Sequence, residues 1–319
     1  MRYTALLSLL FLFFACQPTE SETPNANKDV SIDTEAGPAW EKDQLRLIPL
    51  RATEDFVTQN AAVAQYEVLA DALQNERFRI SEKKPFGRFD DAQAVNTLTV
   101  QNKTEAAIFL MAGDIVQGGN QDRVIGEDRV IAARSIEDVP VFCVERGRWN
   151  YQGDQALNES DKKVFAFRGY YNVASRQVRQ SVASGSQQSV WQEVSELTIQ
   201  HDTQSSTSAY AGLEGNDEFV RQRTDYERFF ADKLKDNEDI IGFIALSGDQ
   251  ILGADVFGHP ELLNKQFPAL LSSYATDAIS LGNDQSLNKR SLDAFTRQLE
   301  RTIAEGSERV PFVHLAELP

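Results

Sequence analysis

The chain has 319 residues, 41% of them hydrophobic and 9% aromatic, enough for one large domain or two small ones. Its formal net charge of −16 argues against nucleic acid as a partner and against electrostatic attachment to anionic lipid. With Cys16 set aside for the reason below, Cys143 has no internal partner, which excludes a disulfide framework and a cysteine zinc site.

In chain order, Arg2 precedes an apolar run from Leu6 to Phe14 that ends in Ala15-Cys16. A positive start, a short apolar stretch and a small residue before cysteine outline a bacterial lipoprotein signal, and the run is too short to span a bilayer. The expected mature protein begins at Cys16, carries lipid there and works in the cell envelope outside the cytoplasm. Gln17, in place of an aspartate, favours the outer membrane. An ordinary cleaved signal with an incidental cysteine is the alternative. Residues 1–15 are thus read as signal, and 16–40 as the lipidated cysteine and a disordered tether rich in Pro, Thr, Ser, Glu and Asn. Such a tether reaches roughly 25–30 Å. Residues 41–319 are expected to form a single α+β domain.

Within it, Gln44 to Leu50 reads as a strand. Val63, Tyr66, Leu69, Ala70 and Leu73 fall at helical spacing, with Asn60 as a cap. Leu98 and Val100 alternate with threonines, and further strand-like segments follow at 108–111, 124–125, 129–132 and 139–144. The stretch from about 95 to 175 is therefore β-rich. The run from Val139 to Val144 reads as a strand buried on both faces, with Cys143 as a core thiol. The second half is mixed. Val190 to Leu197 reads as helical, and Asn216 as the N-cap of a helix bearing Phe219, Tyr226, Phe230 and Leu234. Two apolar runs at 240–246 and 251–257 flank Gly248-Asp249, a two-residue hairpin signal. Helices are expected at 261–279 and 286–303, and a last strand at 312–315.

Three segments carry candidate chemistry. Gly113 to Arg123 brackets a short apolar pair with glycines and is packed with polar groups, so it can present side chains and N–H groups to a ligand. The bland reading is a pair of tight turns with Asp114 and Asp122 as turn residues and Arg123 in an ion pair. Cys143 to Trp149 ends an apolar strand in Glu145, Arg146, Gly147, Arg148 and Trp149; arginine suits bidentate capture of carboxylate or phosphate. Between Lys162 and Gln192 there is no acid, against Lys162, Lys163, Arg168, Arg176 and Arg179. A positive site on a negative protein focuses small anions while rejecting long polyanions. The histidines His201, His259 and His314 lie too far apart for a usual zinc site. A Mg²⁺ or Ca²⁺ site from Asp114, Asp122, Glu145 or Asp255 stays open, Asp255 and His259 sit near a strand end where helix capping is the plainer role, and no particular cofactor is indicated.

Taken together, GDIVQGGNQDR, VPVFCVERGRW, SQQSVW and GADVFGHPELL resemble the domain family named for its association with ADP-ribosylglycohydrolases and the rhodanese-phosphatase superfamily, from about residue 42 to 280. The resemblance implies that Gly113, Asp114, Gly118, Gly119, Gln121, Asp122, Arg123, Cys143, Glu145, Gly147, Arg148, Trp149, Gln187 and Trp191 belong to the family's signature. It implies no established activity, and hints at ADP-ribose-like or phosphorylated ligands.

The expected function is a lipid-anchored binding module for a small anionic ligand, phosphorylated or sugar- or nucleotide-like. Its cleft would be built from Gly118, Gly119, Gln121, Asp122, Arg123, Glu145, Arg148, Trp149, Gln187 and Trp191, with Arg123, Arg148 and Arg179 on the anion and a tryptophan on a ring. Arg148→Ala is then expected to weaken binding with little loss of stability. One alternative is a hydrolase using Asp114, Asp122 and Glu145 as acid, base or metal ligands. Another is a structural or protein- or glycan-interacting lipoprotein.

Overall fold

The computed structural model describes residues 29–82, 96–148, 165–306 and 312–315. The chain opens with β1 (Val30–Ile32), a 3₁₀ turn at Pro38–Trp40, β2 (Glu41–Lys42) and β3 (Leu45–Ala52). Residues 30–40, expected in the tether, are therefore part of the fold. Trp40 is buried against Phe243, ring centroids 5.3 Å apart, and that contact orders the segment. Next come α1 (Glu54–Gln59), β4 (Glu67–Val68), α2 (Leu69–Ala72), β5 (Phe78–Glu82) and β6 (Thr97–Asn102). The helix expected over 63–73 is broken. Asn60 caps the C-terminus of α1, and Val68 pairs with Phe109 on β7 (Ile108–Leu110). Strand pairing outweighs the helical spacing of these apolar residues.

Then follow β8 (Asp114–Gly118), β9 (Arg123–Ile125), β10 (Arg129–Ile131), β11 (Ser135–Cys143) and β12 (Ala166–Val173). Six strands close into an antiparallel barrel in the order β11-β6-β5-β12-β8-β9, filled by Phe78, Ile80, Leu98, Val100, Val116, Ile125, Val139, Val141 and Phe167. β11 alternates buried and half-buried over Val139–Cys143, so it is not covered on both faces as its apolar run suggests. Cys143 faces inward and is buried; Pro140 and Phe142 face outward, where neighbouring residues cover them only in part. A small sheet, β10-β7-β4, lies beside the barrel.

The C-terminal half supplies α3 (Arg176–Ala183), α4 (Gln187–Gln200), α5 (Asp217–Phe230), β13 (Ile240–Ser247), β14 (Gln250–Phe257), α6 (Pro260–Leu281), α7 (Lys289–Gly306) and β15 (Phe312–Leu315). Asn216 caps α5 by accepting from the Glu218 and Phe219 N–H groups, and His259 caps α6 by accepting from Glu261 N–H. The hairpin signal holds: Ser247 pairs with Gln250 across Gly248-Asp249. The hairpin inserts between β3 and β15 in a second antiparallel sheet, β1-β3-β13-β14-β15, with β2 on β3. α6 covers one face through Leu263, Phe267 and Leu270, and α7 covers the other through Phe295, Leu299 and Ile303. The fold is mixed α+β, with strands mainly in the N-terminal part.

α6 also binds the sheet to the barrel side. Gln266 donates to Asp114 (2.9 Å), Ser273 to the Ala174 carbonyl (2.6 Å), and Asp277 accepts from the Arg176 N–H (3.0 Å). α3 and α4 pack outside the barrel through Val178, Val182, Val190 and Val194 onto Ile115, Val124 and Val144.

Candidate functional site

The two glycine-bearing signature segments meet at one end of the barrel. Gly119–Asp122 turns β8 into β9, and Cys143 on β11 lies opposite Arg123 on β9. Gly119 has φ +52°, and a Cβ there would stand 2.4 Å from the Phe167 ring, so only glycine fits the turn. Arg148 reaches into this end. Its Nε donates to Glu145 (2.7 Å), Nη1 to the Gly119 carbonyl (3.1 Å), and Nη2 to Asp122 (2.8 Å) and the Gly118 carbonyl (3.3 Å). The Asp122 N–H donates to Glu145 (3.2 Å), and Gly118 N–H to Asp122 (3.2 Å). Gln121 donates to the Glu145 carbonyl (2.7 Å) and accepts from Arg123 (3.0 Å). Glu82 accepts from the backbone and side chain of Asn120, both at 2.6 Å.

Asp122, Arg123, Glu145 and Arg148 are all buried. Burial and the adjacent Glu145 push the Asp122 carboxyl up, against the pull of Arg148. This arrangement is an ion-pair cluster in which Arg148, Asp122 and Glu145 satisfy one another, while the buried Nε of Arg123 finds no hydrogen-bond partner among the described residues. Arg148 spends its fork on protein groups, and geometry of that kind holds loops together.

Gln187 and Trp191 attach α4 to the same region. The Gln187 amide accepts from Cys143 N–H (2.8 Å) and donates to Cys143 C=O (2.9 Å), as a neighbouring strand would. Burial pushes the Cys143 thiol up, which suits a core thiol and disfavours the thiolate. The Arg146 guanidinium covers the Trp191 ring at 5.3 Å. Trp149, expected to stack on a ligand, lies outside the described residues, as does Cys16.

Asp114 stands apart, fully buried under α6. It accepts from Met111 N–H (2.8 Å), Tyr170 OH (2.7 Å) and Gln266 (2.9 Å), and burial pushes its carboxyl up to about 6. Asp255 meets Arg179, not His259. The two terminal nitrogens of Arg179 donate to it at 3.2 and 2.6 Å, Tyr274 OH at 2.5 Å, and His314 Nδ1 lies 2.7 Å away. Burial alone pushes Asp255 up, but Arg179 and His314 more than offset it and hold the carboxyl well below the usual range. Gly113, at φ +103°, is where Arg179 passes: a Cβ there would lie 2.9 Å from its side chain.

Two of the surface grooves among the described residues lie away from the barrel end. One, of about 780 Å³, is lined by Glu35, Glu41, Asp43, Asp284 and Asp293 against Arg46 and Lys289. The other, of about 480 Å³, runs between α3, the start of α4 and Gln250. Its lining includes Arg176, Gln177, Gln180, Ser184, Ser189 and Gln192, with Glu193 as its single acid.

A sequence profile of the ARG and Rhodanese-Phosphatase-superfamily-associated Protein domain, ARPP-1, matches residues 33–317. The chain belongs to this family. No curated protein and no solved structure is significantly similar to it. The ARPP-1 match extends past the 42–280 stretch in both directions and takes in the 3₁₀ turn at Pro38–Trp40, α7 and β15 with His314. Of the signature residues, the ARPP-1 fold brings Gly118, Gly119, Gln121, Asp122, Arg123, Glu145, Arg148 and Gln187 together, while Asp114 belongs to a separate polar cluster, as does Asp255 outside the signature. Among the described residues, no group of three His, Cys, Asp or Glu side chains is placed to hold a metal ion. The carboxylates once open to Mg²⁺ or Ca²⁺ are instead bound to arginines and amides. Tyr274 and His314, which join Asp255, carry no motif in the sequence; only the sheet pairing of β14 with β15 brings His314 beside it.

Proposed function

We propose that this chain is a lipid-anchored binding module of the cell envelope that takes a small anionic or sugar-like ligand in the groove between α3 and α4. One observation carries the reading. In a chain of net charge −16, the acid-free window ending at Gln192 lines a groove with Arg176, amides and hydroxyls, and Glu193 is the single acid in that lining. A local positive site on a negative surface draws small anions and turns long polyanions away. Amides and hydroxyls suit the hydroxyl groups of a sugar. The larger groove is acidic and would repel the same ligand.

The test is calorimetry of the wild type with inorganic phosphate, glucose 6-phosphate and ADP-ribose, repeated on Arg176→Gln with Gln180→Ala. Binding weakened about tenfold or more, at an unchanged melting temperature, is expected for loss of a charge-assisted contact and a hydrogen bond. Equal affinity in wild type and double variant, or no binding of any of the three, removes the groove as the site.

A further inference from the structure

The α3–α4 groove, of about 480 Å³, falls within the size range of small-molecule sites. Helical spacing builds its walls. Gln177, Ser181 and Ser184 lie on one face of α3, and Ser189, Gln192 and Glu193 on one face of α4. Some of these polar groups are spent within the protein. Ser184 Oγ donates to the Ser181 carbonyl (2.7 Å), and Gln192 Nε2 to Glu196 (2.9 Å). Others are not. The Gln177 amide, the Ser181 hydroxyl and the Glu193 carboxylate have no hydrogen-bond or ion-pair partner among the described residues. Ser181 is only 9% exposed, so its hydroxyl is largely cut off from water and gains from any partner that enters the groove.

The charge of the lining narrows that partner. Among the described residues that line the groove, Arg176 is the one cation and Glu193 the one acid. Burial and then Glu196 push the Glu193 carboxyl up, as expected for a carboxylate that no cation neutralises. A phosphate monoester carries close to two charges at neutral pH, and here it would meet one cation and one like charge. A carboxylate carries a single charge, which Arg176 alone can match. Ring hydroxyls beside it can donate to Glu193 in charge-assisted bonds, which are stronger than neutral ones. No aromatic side chain is among the lining residues, so a nucleotide base finds no face to stack on.

We propose that the ligand of this groove is a sugar acid, a polyhydroxylated ring with one carboxylate, and that Glu193 selects it over phosphorylated sugars. Arg176 takes the carboxylate, Glu193 accepts from ring hydroxyls, and the Gln177 amide and Ser181 hydroxyl find their partners on the ring. This inference rests on the reading of the α3–α4 groove as the binding site.

The experiment is calorimetry of the full chain at pH 7.5 with D-glucuronate and with glucose 6-phosphate, on the wild type and on Glu193→Gln. The two ligands share a hydroxylated ring and differ in the charge of the group they carry. The wild type is expected to bind glucuronate about tenfold more tightly, the scale of one unfavourable charge contact near a protein surface. In Glu193→Gln, which keeps the shape and an acceptor but not the charge, that preference is expected to vanish or reverse. Glucose 6-phosphate binding the wild type as tightly as glucuronate overturns the inference while leaving the groove as the site, and this comparison needs no variant. A preference that survives intact in Glu193→Gln overturns the role of Glu193. Binding of neither ligand to the wild type removes the groove and the inference together.

Discussion

Arg148 stands between two buried carboxylates and two carbonyls, and its contacts reverse the expectation drawn from sequence alone. Removing it leaves Asp122 and Glu145 buried without their shared cation. Breaking a buried pair from one side costs about 3–5 kcal/mol, because the remaining charges keep their desolvation cost. Arg148→Ala is therefore expected to lose about that much stability in urea unfolding. Arg148→Lys should recover only part of it, since one ammonium cannot reproduce a planar fork. A melting curve for Arg148→Ala that overlays the wild type would return Arg148 to the list of ligand-binding residues. At this scale the sequence was partly legible. Glycine, acid and arginine at these spacings marked residues that act as a set, but nothing in the spacing tells a set that faces a ligand from one that faces itself.

At the scale of elements, α6 is the part that joins sheet to barrel, and it does so with polar hooks in a buried setting. Asp277 is the most telling of them. Burial pushes its carboxyl up to about 7, against the hydrogen bond from Arg176 N–H and the charges of Arg176 and Arg179. A folded-state pKa above the unfolded value near 3.8 means the folded protein holds this proton more tightly. The charged form disfavours folding, so the cost is absent below about pH 4, sets in as pH rises, and is complete above about 7. Asn keeps one acceptor for Arg176 and has no charge to bury. The stability of Asp277→Asn relative to wild type is therefore expected to improve by a few kcal/mol from pH 4 to pH 8, read by urea titration at each pH. A gap that does not change with pH would mean that Asp277 is already ionised in the folded protein at pH 4. The sequence pointed to the α6 helix through its apolar spacing. It did not point to Gln266, Ser273, Tyr274 or Asp277 as buried, because polar residues at inward positions read as breaks in the pattern until their partners on the barrel are known.

For the whole molecule, the order of elements along the chain misleads about which of them share a core. The hairpin at 240–257 was legible from Gly248-Asp249, and β6 from its alternation, because turns and strand faces are local properties. That β13 would pair with β3, some 190 residues earlier, was not. The proposed anchor also belongs to this scale. On that proposal a single cysteine would hold the folded part at the membrane; no helix among the described residues is long and apolar enough to cross one. In a bacterial host, Cys16→Ser is expected to move the full chain from the detergent phase of a Triton X-114 partition to the aqueous phase and to abolish incorporation of labelled palmitate. Unchanged partition would leave Cys16 as an incidental residue after an ordinary signal.

Sequence alone determined the α+β class, the caps at Asn216 and His259, the hairpin and the family, since each rests on neighbours within a few residues or on motifs that survive as strings. Only the tertiary structure decided that the signature closes on itself at the barrel end, and that Asp255 pairs with Arg179 and His314 instead of His259. Charge pairing is set by distance in space, and the strand order that sets those distances comes from long-range packing, which no local pattern encodes.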